Sequence, residues 1–321
     1  MVIRDYLLLS EGKAGHRAAK TRLGHVIDYL AAKTPTARVS EVDERWIEEF
    51  RAWLLAKPVV DRKGEPLRPR SLSAVEGSVL QLSAAINAAP SQEAAFKAIQ
   101  QKEVSASPVY RADVPMLAKM FNYCLRPDGK TEKVRAVQLA ERESLLRFLR
   151  MAVATWARPD ALFDLTPAQW HAAAGVLDLN PPGRRQTVKH RPKIPVAKQY
   201  APFLTDGTAY LSISVINVPW AKLRERCGLP ADRQAGPKLI RRTMATLVRK
   251  RIGEANWRQG QMMLGHVKSS VSDIYAIPDP LNLGLALSAT ESIIDEIERL
   301  APGAFTAPIP QPEGDLEAKN G

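Results

Sequence analysis

Cysteine is scarce in this chain. Only Cys124 and Cys227 occur in 321 residues, far apart and without a Cys-x-x-Cys spacing. Neither a disulfide framework nor a zinc site is expected, and a reducing, cytoplasmic setting fits. Long apolar runs are missing too. The opening Met1-Val2-Ile3-Arg4-Asp5-Tyr6-Leu7-Leu8-Leu9 is too short and too broken by charge for a signal peptide, and no later stretch has the length of a membrane span. Acidic residues are in deficit: 34 Asp and Glu against 46 Lys and Arg leave a formal charge of +12, which favours a polyanionic partner such as nucleic acid. There is no P-loop, no internal repeat and no cluster of carboxylates in the second half. The usual grounds for ATP-driven chemistry or a metal-dependent nuclease are therefore absent.

What is present suffices for two packed cores. Over the first hundred residues apolar side chains recur at helical spacing: Leu23, Val26, Ile27 and Leu30; then Trp46, Phe50, Trp53 and Leu54 after a capping Asp43; then Leu72, Val75, Val79, Leu82 and Ile86 after Ser71. Each stripe predicts the inner face of a helix in a small bundle. The run before the third helix is basic. Arg68, Arg70 and the open amides after Ser71 form either a phosphate site at a helix start or a solvated loop.

Around residues 101–112 the pattern lapses into a Ser- and Pro-containing connection. The expected organisation is a helical domain over 1–105, a linker over 106–112, a second domain over 113–300 and a mobile tail over 301–321. In the second domain, Glu141 to Ala157 reads as a long central helix and Pro159 as the first turn of another. Val176-Leu177-Asp178-Leu179, a Pro-Gly turn and Ile194-Pro195-Val196 form the one convincing strand, turn and strand region.

Two acid-free basic segments lie in this domain. Residues 184–198 hold Arg184, Arg185, Lys189, Arg191, Lys193 and Lys198. Residues 238–251 place Lys238 and Arg241 three apart, beside a buried face of Ile240, Met244, Leu247 and Val248. A helix over 254–264 closed by Gly265 directs His266 from its end. Ser270 to Asp273 has the form of a capping box that opens a short helix carrying Tyr275.

The order Ala157-Arg158-Pro159, Lys189, Lys238-Leu239-Ile240-Arg241, Leu264-Gly265-His266 and Tyr275 resembles the tyrosine recombinases, or phage-integrase family. Tyr275 follows His266 by nine positions, the interval that family shows between its last histidine and its nucleophile. The resemblance spans nearly the whole chain. It departs at Lys238, where histidine is usual, and after Arg158, where the Gly-Leu-Arg-x-Ser-Glu wording is missing. It implies a mainly α protein: an N-terminal helical, SAM-like core-binding domain that clamps DNA, and a C-terminal mixed α+β catalytic domain with a small antiparallel sheet. No arm-binding domain is expected ahead of the first helix, which leans toward short core sites.

The resemblance further implies site-specific strand exchange on double-stranded DNA through a 3′-phosphotyrosine, with neither ATP nor metal as cofactor. Arg158 and Arg241 then clamp the scissile phosphate, because planar guanidiniums give it paired hydrogen bonds. His266 bonds a phosphoryl oxygen, Lys189 is the general acid (Lys193 being the alternative lysine), and Tyr275 is the nucleophile. The clamp lowers the pKa of the phenol, or Lys238 accepts its proton. Arg68, Arg70, Ser71, Arg184, Arg185, Arg191 and Lys193 are the expected DNA contacts. Leu283, Leu285, Leu287, Ile293, Ile294 and Ile297 form a last apolar helix. It packs at home or docks on a neighbour in a homotetramer bound to two DNA sites, the chain being a monomer or dimer off DNA. A type IB topoisomerase-like relaxing enzyme and a catalytically inactive DNA-binding regulator of the same fold are the alternatives.

Overall fold

A computed structural model of the chain describes residues 2–13, 15–61, 63–105, 107–187, 189–231, 233–266 and 279–306. They are mainly helical, and the chain divides into two compact units, Met1–Ser107 and Pro108–Gly321.

In the first unit, α1 (Val2–Ser10), α2 (His16–Lys33), α3 (Glu44–Ala56) and α4 (Leu72–Asn87) surround one apolar core. Asp43 opens α3 by accepting from the Trp46 amide at 2.9 Å, which satisfies one of the donors every helix start leaves open. Leu23, Val26, Phe50, Leu54, Val75 and Val79 are buried, each contributing roughly 1.5–3 kcal/mol. Ile27, expected inside, is exposed. Tyr29 takes the inward place instead, edge-on to Trp46, Phe50 and Trp53. A hairpin with no sequence signature, β1 (Val59–Val60) against β2 (Pro66–Arg68), separates α3 from α4. The Asp61 carboxylate forms its turn by accepting from the amides of Lys63 and Glu65.

A buried ion network fastens this unit. Arg51 donates to both oxygens of Glu76, at 2.7 and 3.1 Å, and to Glu44 and Glu48. The fully buried Glu76 also accepts from the Ile99 amide at 2.8 Å. A carboxylate this far from water is tolerated because its lone pairs are occupied by a cation and an amide. The result pins the segment ahead of α5 (Gln101–Val104) to α3 and α4.

Near the start of the second unit, residues 109–112 are held to it and do not hang as a linker. The amides of Val109 and Tyr110 donate to Gln234, and that of Ala112 to the buried Thr243 hydroxyl. After α6 (Val114–Leu125), the central α7 (Glu132–Thr155) starts earlier than its apolar stripe suggests, because Thr131 caps it through the Val134 amide. Around α7 pack α6, α8 (Pro159–Phe163), α10 (Asn217–Cys227), α11 (Leu239–Ile252) and α13 (Gly284–Leu300). A small antiparallel sheet has the order β3 (Trp170–His171), β4 (Val176–Asp178), β5 (Lys193–Pro195), with Leu177 opposite Ile194. β4 and β5 are the expected strands, whereas β3, two residues long, has no alternation to reveal it. The short α9 (Ala201–Thr205) and α12 (Trp257–Met263) complete the unit. Among the described residues no helix is long and apolar enough to cross a membrane.

At the C-terminal end Leu283, Ile293, Ile294 and Ile297 are buried in their own core, so within this chain the apolar face of α13 packs at home, one of the two readings of the sequence. The extent of the tail is corrected. Residues 301–306, expected in the tail, are packed: Ala301, Ala304 and Phe305 are buried, and Arg150 donates to the carbonyls of Gly303 and Ala304 at 2.9 and 2.5 Å.

Candidate active site

Main-chain reversals at two helix ends bring the expected clamp together. α7 stops at Trp156, which is buried and left-handed with φ 52°. The chain then runs extended into Arg158, the N-cap of α8, with Pro159 in the first turn. α12 closes in a Schellman turn: the His266 amide donates to the Gln261 carbonyl and the Gly265 amide to that of Met262, both at 2.9 Å. Arg241, one turn into α11, spans the two reversals. Its Nη1 donates to the Trp156 carbonyl at 2.7 Å, and its Nη2 to the Leu264 carbonyl at 2.6 Å and to His266 Nε2 at 3.1 Å. Arg158 Nη1 donates to the His190 carbonyl at 3.0 Å.

The three side chains share one electrostatic environment. Burial, then the neighbouring Arg158, push Arg241 down to about 10, with Asp160 opposing; it remains a cation at neutral pH. Burial, then Arg241 and Arg158, pull His266 below its ordinary 6.5. The ring is therefore neutral and accepts at Nε2, with its proton on Nδ1. Two guanidiniums and an imidazole held this way match a phosphate, which would relieve their mutual repulsion. An open groove of about 450 Å³ adjoins Arg241 and His266, lined also by Arg111, Arg242, Lys250 and the paired Arg249 and Glu254.

The other expected catalytic residues are placed differently. Lys238 is the exposed N-cap of α11, one turn before Arg241, and Lys189 is exposed between β4 and β5. Among the described residues no hydrogen bond joins either to the cluster. Tyr275 and its Ser270-to-Asp273 box lie outside the described residues.

Of the expected DNA contacts, Arg68 and Arg185 are exposed, Arg184 donates to Asn180, and Lys193 lies 3.7 Å from Asp178. Arg70 is engaged by His25 Nε2 at 3.1 Å and the Lys57 carbonyl at 3.3 Å. Ser71 is the N-cap of α4 but makes no side-chain cap bond there. Arg191 is the correction: its side chain is only 6% exposed and meets Asp164 at 2.7 Å and Asp160 at 3.3 Å. Buried and neutralised, it is unavailable to DNA. The two aspartates lie at the ends of α8, Asp160 in its first turn and Asp164 at its C-cap.

Sequence reasoning missed the acceptors that aim the clamp, the carbonyls of Trp156, His190 and Leu264. A main-chain oxygen leaves no trace in a side-chain motif. The one available signal was Gly265, where a left-handed φ of 63° and a close approach to His190 both require the missing Cβ.

No family model and no curated protein matches the chain. Among solved structures, the Tn1549 transposon integrase in complex with transposon right-end DNA is similar over 94% of this chain and 98% of its own, with a TM-score of 0.55 at 12% identity. The same integrase with circular intermediate DNA gives 94% and 99% coverage, TM-score 0.55 and 13% identity. The XerA recombinase covers 93% of this chain and 96% of its own at 9% identity, but its TM-score of 0.34 supports no argument. The chain thus has the tyrosine-recombinase fold, a helical unit followed by a mixed helix-and-sheet unit.

Proposed function

We propose that this protein cleaves and rejoins double-stranded DNA by transesterification, with Tyr275 as the nucleophile. The observation that carries the reading is the convergence of Arg158, Arg241 and His266, from three separate stretches of chain, into one cationic cluster. A phosphodiester resists attack until its charge is neutralised by fixed donors, and two guanidiniums supply that without a metal ion. The Tyr275 oxygen bonds to phosphorus as the bond to the 5′ oxygen breaks. The phenolic proton leaves to Lys238 or to water, and Lys189 gives a proton to the departing 5′ oxygen. The 3′-phosphotyrosine conserves the ester energy, so a second 5′-hydroxyl can reseal the strand.

The solved integrase of like fold was captured on transposon-end and circular-intermediate DNA, which supports the ends of a mobile element as the substrate class here. The test uses supercoiled plasmid carrying the DNA that flanks this reading frame, incubated with protein in chelator and quenched with detergent. Covalent protein on DNA from the wild type and none from Tyr275→Phe is expected. Retarded DNA without any adduct would replace the reading with an inactive DNA-binding regulator. Relaxation of plasmid lacking the flanking DNA, with no exchange, would replace it with a relaxing enzyme.

A further inference from the structure

We infer that Arg191 is a positioning residue of the phosphate clamp: through the tripeptide 190–192 it sets where Arg158 and His266 stand. The inference rests on the clamp proposed above. The main chain of this tripeptide is fixed on all sides. Gln186 brackets Arg191, its Nε2 donating to the Arg191 carbonyl at 2.8 Å and its Oε1 accepting from the Arg191 amide at 3.1 Å. The Leu179 amide donates to the Pro192 carbonyl at 3.1 Å, continuing the pairing of β4 with β5.

Three parts of the cluster then register on this block. Arg158 donates to the His190 carbonyl. Gly265 nests against it so closely that a Cβ would lie 2.6 Å from the same oxygen and 2.9 Å from Pro192 Cδ, which fixes the exit of His266. The Arg191 guanidinium binds Asp160 and Asp164, two and six residues after Arg158, and so holds α8 against the block. A buried cation reaching two half-exposed carboxylates costs desolvation that a surface pair would not. It does give α8 one direction of approach, and Arg158 caps that helix. Arg191 also neutralises two carboxylates close to where a phosphate would bind, Asp160 being near enough to act on Arg241.

The test is a histidine titration followed by NMR, using the full chain with labelled histidine. The His266 resonance is assigned by its loss in His266→Gln from among the five histidines. Two variants loosen the block. Arg191→Met removes its side-chain tie, and Gln186→Ala removes an exposed, uncharged bracket and changes no charge. Each is measured alone and in an Arg158→Met background, with thermal melting to establish folding. Burial, then Arg241 and Arg158, hold the His266 pKa down, so a displaced Arg158 lets it rise. An upward shift is expected in both single variants, and for Gln186→Ala, which changes no charge, no further shift once Arg158 is Met. An unchanged pKa in Gln186→Ala, or a shift of this variant that persists in the Arg158→Met background, would overturn the inference, because either outcome uncouples the block from Arg158.

Adduct formation separates this from the proposed function. Absence of adduct in the wild type refutes the strand-transfer reading, while the titration still decides the role of Arg191. With wild-type adduct present, Arg191→Met is expected to slow it about tenfold or more while DNA affinity changes by less than about threefold. Equal losses in both would mark a general structural defect.

Discussion

The carbonyl oxygen of His190 lies 2.6 Å from where a side chain on Gly265 would begin. The contact is main chain against main chain, so no rotamer change can relieve an added methyl. Gly265→Ala is expected to cost about 1–2 kcal/mol for the left-handed backbone alone and more for the clash. Gly228 provides the control, since its φ of 68° is similar and no atom lies within 4 Å of its Cβ position. In urea unfolding Gly265→Ala should fall below Gly228→Ala, and Gly265→Ala alone should lose adduct formation. Equal losses of stability would show that the turn at 265 yields.

Arg241 should not tolerate lysine. Its two terminal nitrogens serve the Trp156 and Leu264 carbonyls and His266 together, a geometry one ammonium cannot reproduce. Arg241→Lys is expected to reduce single-turnover adduct formation by about a hundredfold or more, with DNA affinity within about threefold of wild type. Gel retardation beside denaturing gels separates the two quantities.

The pH response should have opposite signs in the free and bound protein. Burial first, and arginine second, lower His266 and also His25, which lies beside Arg70. Their folded pKa values lie under the unfolded 6.5, so the unfolded chain takes up protons first. The stability involved is present above pH 6.5 and is lost as pH falls from there through the folded values. Melting temperatures measured between pH 5 and 8 should decline on the acid side, and less steeply in His266→Gln or His25→Gln. A phosphate between the guanidiniums reverses the effect at His266 by favouring its charged form. DNA affinity should therefore increase as pH drops below 6.5, and His266→Gln should flatten that slope.

Truncation after Leu300 should destabilise the second unit. It removes the buried Ala301, Ala304 and Phe305, and strips Arg150 of the two carbonyls its guanidinium binds. The expected loss is about 3 kcal/mol or more, read from urea unfolding. Truncation after Thr306 retains all of these contacts, and the loss should appear between the two.

The helices were legible in the sequence wherever one face alone is buried, as in α3, where Asp43 caps and Trp46, Phe50 and Leu54 point inward. Legibility failed where a polar network does the packing. Nothing in the spacing of Arg51 and Glu76, or of Arg191, Asp160 and Asp164, distinguishes a buried pair from solvated charges. Arg191 was therefore grouped with its exposed neighbours in the basic run. In the site, side-chain identity marked Arg158, Arg241 and His266, but their mutual orientation depends on helix-end carbonyls that follow from backbone conformation at Trp156 and Gly265. The hairpin at 59–68 and the two-residue β3 were invisible for a simpler reason, since strands this short have too few positions to alternate, whereas β4 and β5 were marked by the apolar runs on either side of the Pro-Gly turn.

The carbonyls that hold Arg241 stand at the ends of two helices, where the peptide dipoles leave partial negative charge. The side chain is therefore immobile before any phosphate arrives. An arginine ordered by its ligand gives up rotamer freedom worth about 0.5–1.5 kcal/mol on binding, whereas this one gives it up when the chain folds. Mutations that loosen either helix end should then act as entropic lesions, weakening phosphate capture with the guanidinium itself untouched.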